Sequence, residues 1–120
     1  MRKTTGYLIA MVLATSGSVA RADDGTPTAG VFKTGEQLYE VCTSEDDDEI
    51  DRCYWYLMGS WDAMTFYADI DLTDRYACLP EDAVVGELRD VVVSYLRGAD
   101  RSKSAISLTF NALTDYYECE

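Results

Sequence analysis

Thiol chemistry in this chain rests on four residues, Cys42, Cys53, Cys78 and Cys119. No two of them stand in a Cys-x-x-Cys spacing, so neither a redox dithiol nor a zinc site is indicated, and an even number suits disulfides. Four cysteines allow three pairings, and spacing alone does not choose among them. The chain has no histidine. That removes histidine triads, histidine general bases and the usual histidine metal sites. Asp and Glu together number 22 of 120 residues. At that density any two carboxylates make an apparent dyad by chance, and none stands in an apolar setting that would raise its pKa. Asp62, following Gly59-Ser60-Trp61, is the carboxylate best placed to find a structural partner.

Two charged segments stand out. Ser44-Glu45-Asp46-Asp47-Asp48-Glu49-Ile50-Asp51 is the densest acidic run. It lacks the glycine and the ligand spacing of an EF-hand loop, so calcium is poorly supported. A solvated turn that starts a helix, or a docking surface for a basic partner, suits it better. Arg97-Gly98-Ala99-Asp100-Arg101-Ser102-Lys103 gathers three basic residues in an otherwise acidic chain. A small, flexible tip between two rigid helices is a natural insertion element, so Arg97, Gly98, Asp100, Arg101 and Lys103 are the candidate partner-binding residues. Arg97 also suits the end of a helix dipole. Catalytic residues, cofactor ligands and metal ligands are not expected.

Four helices must position these groups, because apolar residues recur with a period near 3.6. The first covers about 35–44, with Thr34 and Gln37 forming a capping box and Leu38, Val41 and Cys42 facing inward. The second covers about 48–70 on Ile50, Cys53, Tyr54, Leu57, Trp61, Met64 and Ala68, with acids at its favourable start. Gly59 in its middle suggests close approach of another helix. Trp55 lies off this stripe and points to a second contact surface, such as that of a homodimer. A connector from Asp71 to Leu79 holds Cys78. Pro80 then opens a third helix, about 81–97, on Val84, Leu88, Val91, Val92 and Tyr95. Gly98 should close it in a left-handed conformation. A fourth helix, about 102–117 and capped by Asp100 or Ser102, has an apolar stripe of Ala105, Leu108, Ala112, Leu113 and Tyr116, widened by Ile106, Phe110 and Tyr117. This is an all-α, four-helix domain of two hairpins. Cys42 and Cys53 then meet across the first turn, and Cys78 and Cys119 meet where the second hairpin starts and ends. The pairing Cys42–Cys53 with Cys78–Cys119 is therefore the geometrically cheap one.

The N-terminus sets the compartment. Arg2 and Lys3, the apolar stretch from Tyr7 to Ala14, and Ala20-Arg21-Ala22 have the make-up of a secretory signal, with cleavage expected after Ala22. The domain organisation expected is a signal at 1–22, a flexible lead-in at 23–33 and a helical domain at 34–120. The exported chain would carry seven basic residues against 22 acids. Such a surface repels nucleic-acid phosphates and anionic lipid headgroups and favours a basic protein partner. No membrane span is expected.

With these residues in place, the chain resembles the Rap/Tai family of type VI secretion immunity proteins. The resemblance runs through Phe32-x-x-Gly35-x-x-Leu38 to Cys42, then Cys53-x-x-Tyr56-Leu57-Met58-Gly59-Ser60-x-Asp62. It continues with Cys78-Leu79-Pro80, Gly86-Glu87-Leu88-x-x-Val91-Val92-x-x-Tyr95-Leu96 and Ala105 through Ala112-Leu113 to a terminal cysteine. It implies a small helical periplasmic protein, often dimeric, that blocks a cell-wall amidase delivered by neighbouring cells. It also implies that the loop between the last helices, Arg97 to Lys103 here, plugs the toxin by steric occlusion. The competing expectation is a small periplasmic acid-stress chaperone or binding protein, whose carboxylates would protonate below about pH 4 and release a dimer to bind clients.

Overall fold

A computed structural model describes residues 31–120. The expected signal at 1–22 and most of the lead-in lie outside the described residues. The described chain is built of four α-helices in the order α1 (Gly35–Cys42), α2 (Asp47–Asp69), α3 (Val85–Gly98) and α4 (Ala105–Tyr116). Each helix packs against the other three. Both expected disulfides are present, Cys42–Cys53 and Cys78–Cys119, with Cα–Cα separations of 5.0 and 4.9 Å. The first closes the α1–α2 hairpin. The second ties the connector before α3 to the tail after α4.

The helix starts follow from side-chain oxygens that accept otherwise unpaired backbone N–H groups. At α1, Thr34 Oγ1 accepts from Gln37 N–H at 3.3 Å while Gln37 Oε1 accepts from Thr34 N–H at 2.9 Å, the reciprocal box expected there. At α2, Asp46 Oδ1 accepts from Glu49 N–H at 3.1 Å, and Asp47, Asp48 and Glu49 fill the first turn at the positive end of the dipole. The acidic run is thus a turn and a helix start. The end of α2 uses a left-handed residue that is not glycine. Asp71 has φ 55°, and Asp71 N–H donates to Ala68 O at 3.1 Å while Leu72 N–H donates to Tyr67 O at 3.0 Å. That pair of bonds is the Schellman arrangement.

Three boundaries differ from the sequence expectation. The third helix starts at Val85 rather than 81, because Ala83 N–H closes a turn on Pro80 O and Val84 is extended. Glu87 Oε2 accepts from Val84 N–H at 3.1 Å and holds that start. Gly98 is the last residue of α3 and is not left-handed; Ala99, extended at φ −91° and ψ 158°, terminates the helix. The fourth helix starts at Ala105, capped by Ser104 rather than Asp100 or Ser102, with Ser104 Oγ accepting from Ser107 N–H at 3.3 Å. Ser102 is spent in a turn with Asp100 instead.

The core runs through all four helices. Leu38, Leu57, Val92, Leu96 and Leu113 are fully buried beside the Cys42–Cys53 bridge. Gly35 explains how closely α1 meets its neighbours. A Cβ there would collide with Leu108 Cδ1 and lie 3.1 Å from Arg101 Cα and O. Gly59 is different. It is exposed, and a Cβ there would meet nothing within 4 Å, so no helix approaches it and the expected close crossing is absent. Among the described residues no helix is long and apolar enough to cross a membrane.

Candidate functional site

The loop between α3 and α4 is a built element. Asp100 Oδ1 accepts from Ser102 Oγ at 2.7 Å and from Ser102 N–H at 3.2 Å. These bonds, helped by the Lys103 charge, hold the Asp100 carboxyl below the usual carboxylate range. The next residues lie across the start of α1. Gly35 N–H donates to Lys103 O at 2.8 Å, Glu36 N–H to Arg101 O at 2.9 Å, and Ala105 N–H to Lys33 O at 2.9 Å. Thr34 and Ser104 form an isolated antiparallel bridge. Loop carbonyls therefore satisfy the first N–H groups of α1, which its own side chains do not reach.

Side chains reinforce the same contact. Arg101 Nε lies 2.6 Å from Glu36 Oε2, and the Arg101 guanidinium sits 4.2 Å above the Tyr39 ring. Arg101 is half-buried by these contacts. The candidate partner-binding residues thus separate. Arg101 faces inward and fixes the loop. Asp100 shapes the turn. Arg97, Gly98 and Lys103 are exposed on its outer side. The tip expected to be flexible is tied down on its inner side and offers two cations on its outer one.

Other expected candidates scatter. Asp62 is exposed on α2 and takes no part in the ion pairs of the described residues, which are Arg75–Asp69 and Arg101–Glu36. All four cysteines are in bridges. No group of three or more Asp, Glu or Cys residues is arranged to hold a metal ion among the described residues. Burial pushes the Tyr56 phenol up, and burial followed by Glu87 and Tyr116 does the same for Tyr117. Both are therefore neutral hydroxyls at ordinary pH.

Grooves mark the surface of the described residues. One, of about 390 Å³, lies between α3 and α4 with Asp90 and Asp115 beside Tyr95 and Tyr116. Another, of about 520 Å³, is more apolar and is bounded by Phe32, Trp55, Gly59 and Ile106. Trp55 is 73% exposed and Phe32 fully so. The off-stripe position of Trp55 signalled a second surface in the sequence. The parts played by Phe32 and Ile106 did not show, because they come from the segment before α1 and from a different helix. Arg89 was also missed: its Nε donates to Cys42 O at 2.8 Å, across 47 residues. An isolated arginine on a helix carries no sequence mark of such a partner.

A family model described as Rap1a immunity proteins matches residues 34–119. The match starts at the cap of α1 and ends at the last bridged cysteine. No curated protein and no solved structure shows a match.

Proposed function

This chain belongs to the Rap1a immunity proteins, and we propose that it is exported to the periplasm, where it neutralises a cell-wall-degrading amidase delivered by type VI secretion. The carrying observation is that the family match spans the whole four-helix unit, including both disulfides. Its action is binding. The outer side of the loop, with Arg97 and Lys103, enters the amidase cleft and blocks substrate. A fixed loop suits that task, because ordering a floppy segment on binding costs affinity. The α1 contacts and the Arg101–Glu36 pair have already ordered this one. The bridges suit an oxidising compartment, where disulfides form and persist.

Co-expression with the periplasmic amidase encoded at the same locus tests the proposal. Growth should be rescued, and the two proteins should co-elute on a sizing column. Replacing Arg97 and Lys103 together by Ala should weaken both effects while leaving the helical signal unchanged. No rescue and no complex with the unmodified chain would overturn the amidase assignment.

A further inference from the structure

We propose that the groove between α3 and α4 is a second docking surface, which takes a lysine or arginine side chain of the same effector; this rests on the immunity reading above. Three observations carry it. First, the groove's own lining suits a cation. Asp90 comes from α3 and Asp115 from α4, with Tyr95 and Tyr116 beside them, and no basic residue lines it. Second, both carboxylates are exposed, and neither joins the ion pairs of the described residues, Arg75–Asp69 and Arg101–Glu36. Third, helical spacing places Tyr116 on the apolar stripe of α4, yet it is 67% exposed. The described residues leave it open, and an edge-on contact with Tyr117, 4.9 Å between ring centroids, holds the ring in place. Ala112 accounts for the depression. It is buried in the lining, and a residue that small leaves room that the larger side chains around it do not fill.

The lining selects the occupant. A neutral apolar projection would strip water from Asp90 and Asp115 and give nothing back, which is costly for an unpaired charge. An anionic group would be repelled, by these two carboxylates and by the excess of twenty acids over seven bases in residues 31–120. A lysine or arginine side chain answers each part of the lining. Its aliphatic stem packs on Val91 and Ala112, its head meets the carboxylates, and the tyrosine faces attract a cation. The position suits the immunity reading as well. Ser94 in the lining stands one turn before Arg97 on α3, so a protein engaging the outer side of the loop passes beside the groove. A dimer on the Trp55 face leaves this groove free. Ile106 and Asp115 are about two and a half turns apart on α4, so the two grooves open on opposite sides of that helix.

Titration calorimetry with the amidase encoded at the same locus, using the full exported chain, reads this directly. The double variant Asp90→Asn with Asp115→Asn keeps the shape of the groove and removes its charge, so it should weaken binding by at least about tenfold, mainly through dissociation rate. Ser94→Lys supplies the cation from within. It stands four residues after Asp90, the favourable order for a helical ion pair, so it should compete with the effector and weaken binding without losing thermal stability. Amine- and guanidine-directed labelling of the amidase, read by peptide mapping, should find a lysine or arginine that is protected in complex with the unmodified chain and reactive in complex with the double variant. If the unmodified chain binds and both variants bind equally well, the groove proposal falls and the immunity reading stands. If the unmodified chain binds nothing, both fall. A change of oligomeric state in the double variant on a sizing column, with amidase binding unchanged, would assign the groove to a second copy and overturn the proposal.

Discussion

Two single residues carry consequences that can be measured without a partner. Arg89 brings a guanidinium N–H to Cys42 O, at the end of α1 where carbonyls lack helical partners. Charged hydrogen bonds of this kind contribute about 1.5–3 kcal/mol. Arg89→Ala should therefore lower the unfolding free energy in urea by about that amount, and Arg89→Lys should recover part of the loss. An effect within 0.5 kcal/mol, on the order of an ordinary surface change, would show that the bond is not holding α3 to α1. Asp100 acts through pH. Its carboxyl is held below its ordinary range by the Ser102 hydroxyl, the Ser102 N–H and the Lys103 charge. A depressed folded-state pKa means that the contribution is present above the unfolded value and is lost as pH falls through the folded one. An NMR titration of Asp100 should give a midpoint below that of a free aspartate, and Ser102→Ala should move it back up. The bonds that Asp100 and Arg89 make are both short, yet their legibility differs. Asp100 and Ser102 stood out locally, but as alternative caps of α4; the turn they share instead is one that these residue types favour. Arg89 to Cys42 depends on tertiary packing and leaves no local pattern.

At the scale of elements, helix existence and most inward faces were legible, while several ends were not, and Val84 and Tyr116, expected on apolar faces, are exposed. Leu38, Cys42, Cys53, Leu57 and Met64 face inward as their spacing requires. The Thr34–Gln37 box was legible because both of its partners lie within one turn. The ends of α3 and the start of α4 were not, because the loop between them is shaped by α1: Lys103 and Arg101 carbonyls answer N–H groups of Gly35 and Glu36, which pushes the start of α4 to Ala105. Gly59 and Asp71 show the same division. Glycine suggests close approach, but here it faces open space; aspartate suggests polarity, but here it takes the left-handed position at the end of α2. Exchanging the roles gives a paired prediction. Asp71→Gly removes a conformational cost and should raise stability by about 0.5–1 kcal/mol. Gly59→Ala should raise it by about 1 kcal/mol through helix propensity alone. Thermal melts should rise for both single variants and add in the double, since α2 separates the sites by about 18 Å along its axis. A fall in either melt would mean that contacts beyond those described govern that position.

For the whole molecule, cohesion rests on a modest core and two covalent ties, working against an excess of acids. The tie between Cys42 and Cys53 spans 11 residues and that between Cys78 and Cys119 spans 41. Chain-entropy reasoning assigns them about 3 and about 4 kcal/mol. A domain of this size has about 5–10 kcal/mol in total, so losing both should leave it largely unfolded. Access separates the two steps. Cys42 and Cys53 are fully buried, whereas Cys78 is exposed and Cys119 half-buried. A reductant attacks a sulfur it can reach, so mild treatment should open Cys78–Cys119 first. Alkylation and peptide mapping should then show label at Cys78 and Cys119 alone. At that stage the far-UV signal should persist, because α1, α2 and the buried bridge still hold the core. Reduction of Cys42–Cys53 requires the core itself to open, so the second pair of labels and loss of helix should appear together. Salt should shift that second step. Screening the repulsion among twenty acids and seven bases in residues 31–120 favours the compact state, so more reductant or heat should be needed at 0.5 M than at about 0.02 M sodium chloride. Simultaneous labelling of all four cysteines under mild reductant would show that burial does not protect the inner bridge, and an unchanged second step across that salt range would show that acidity plays no part in the stability of this fold.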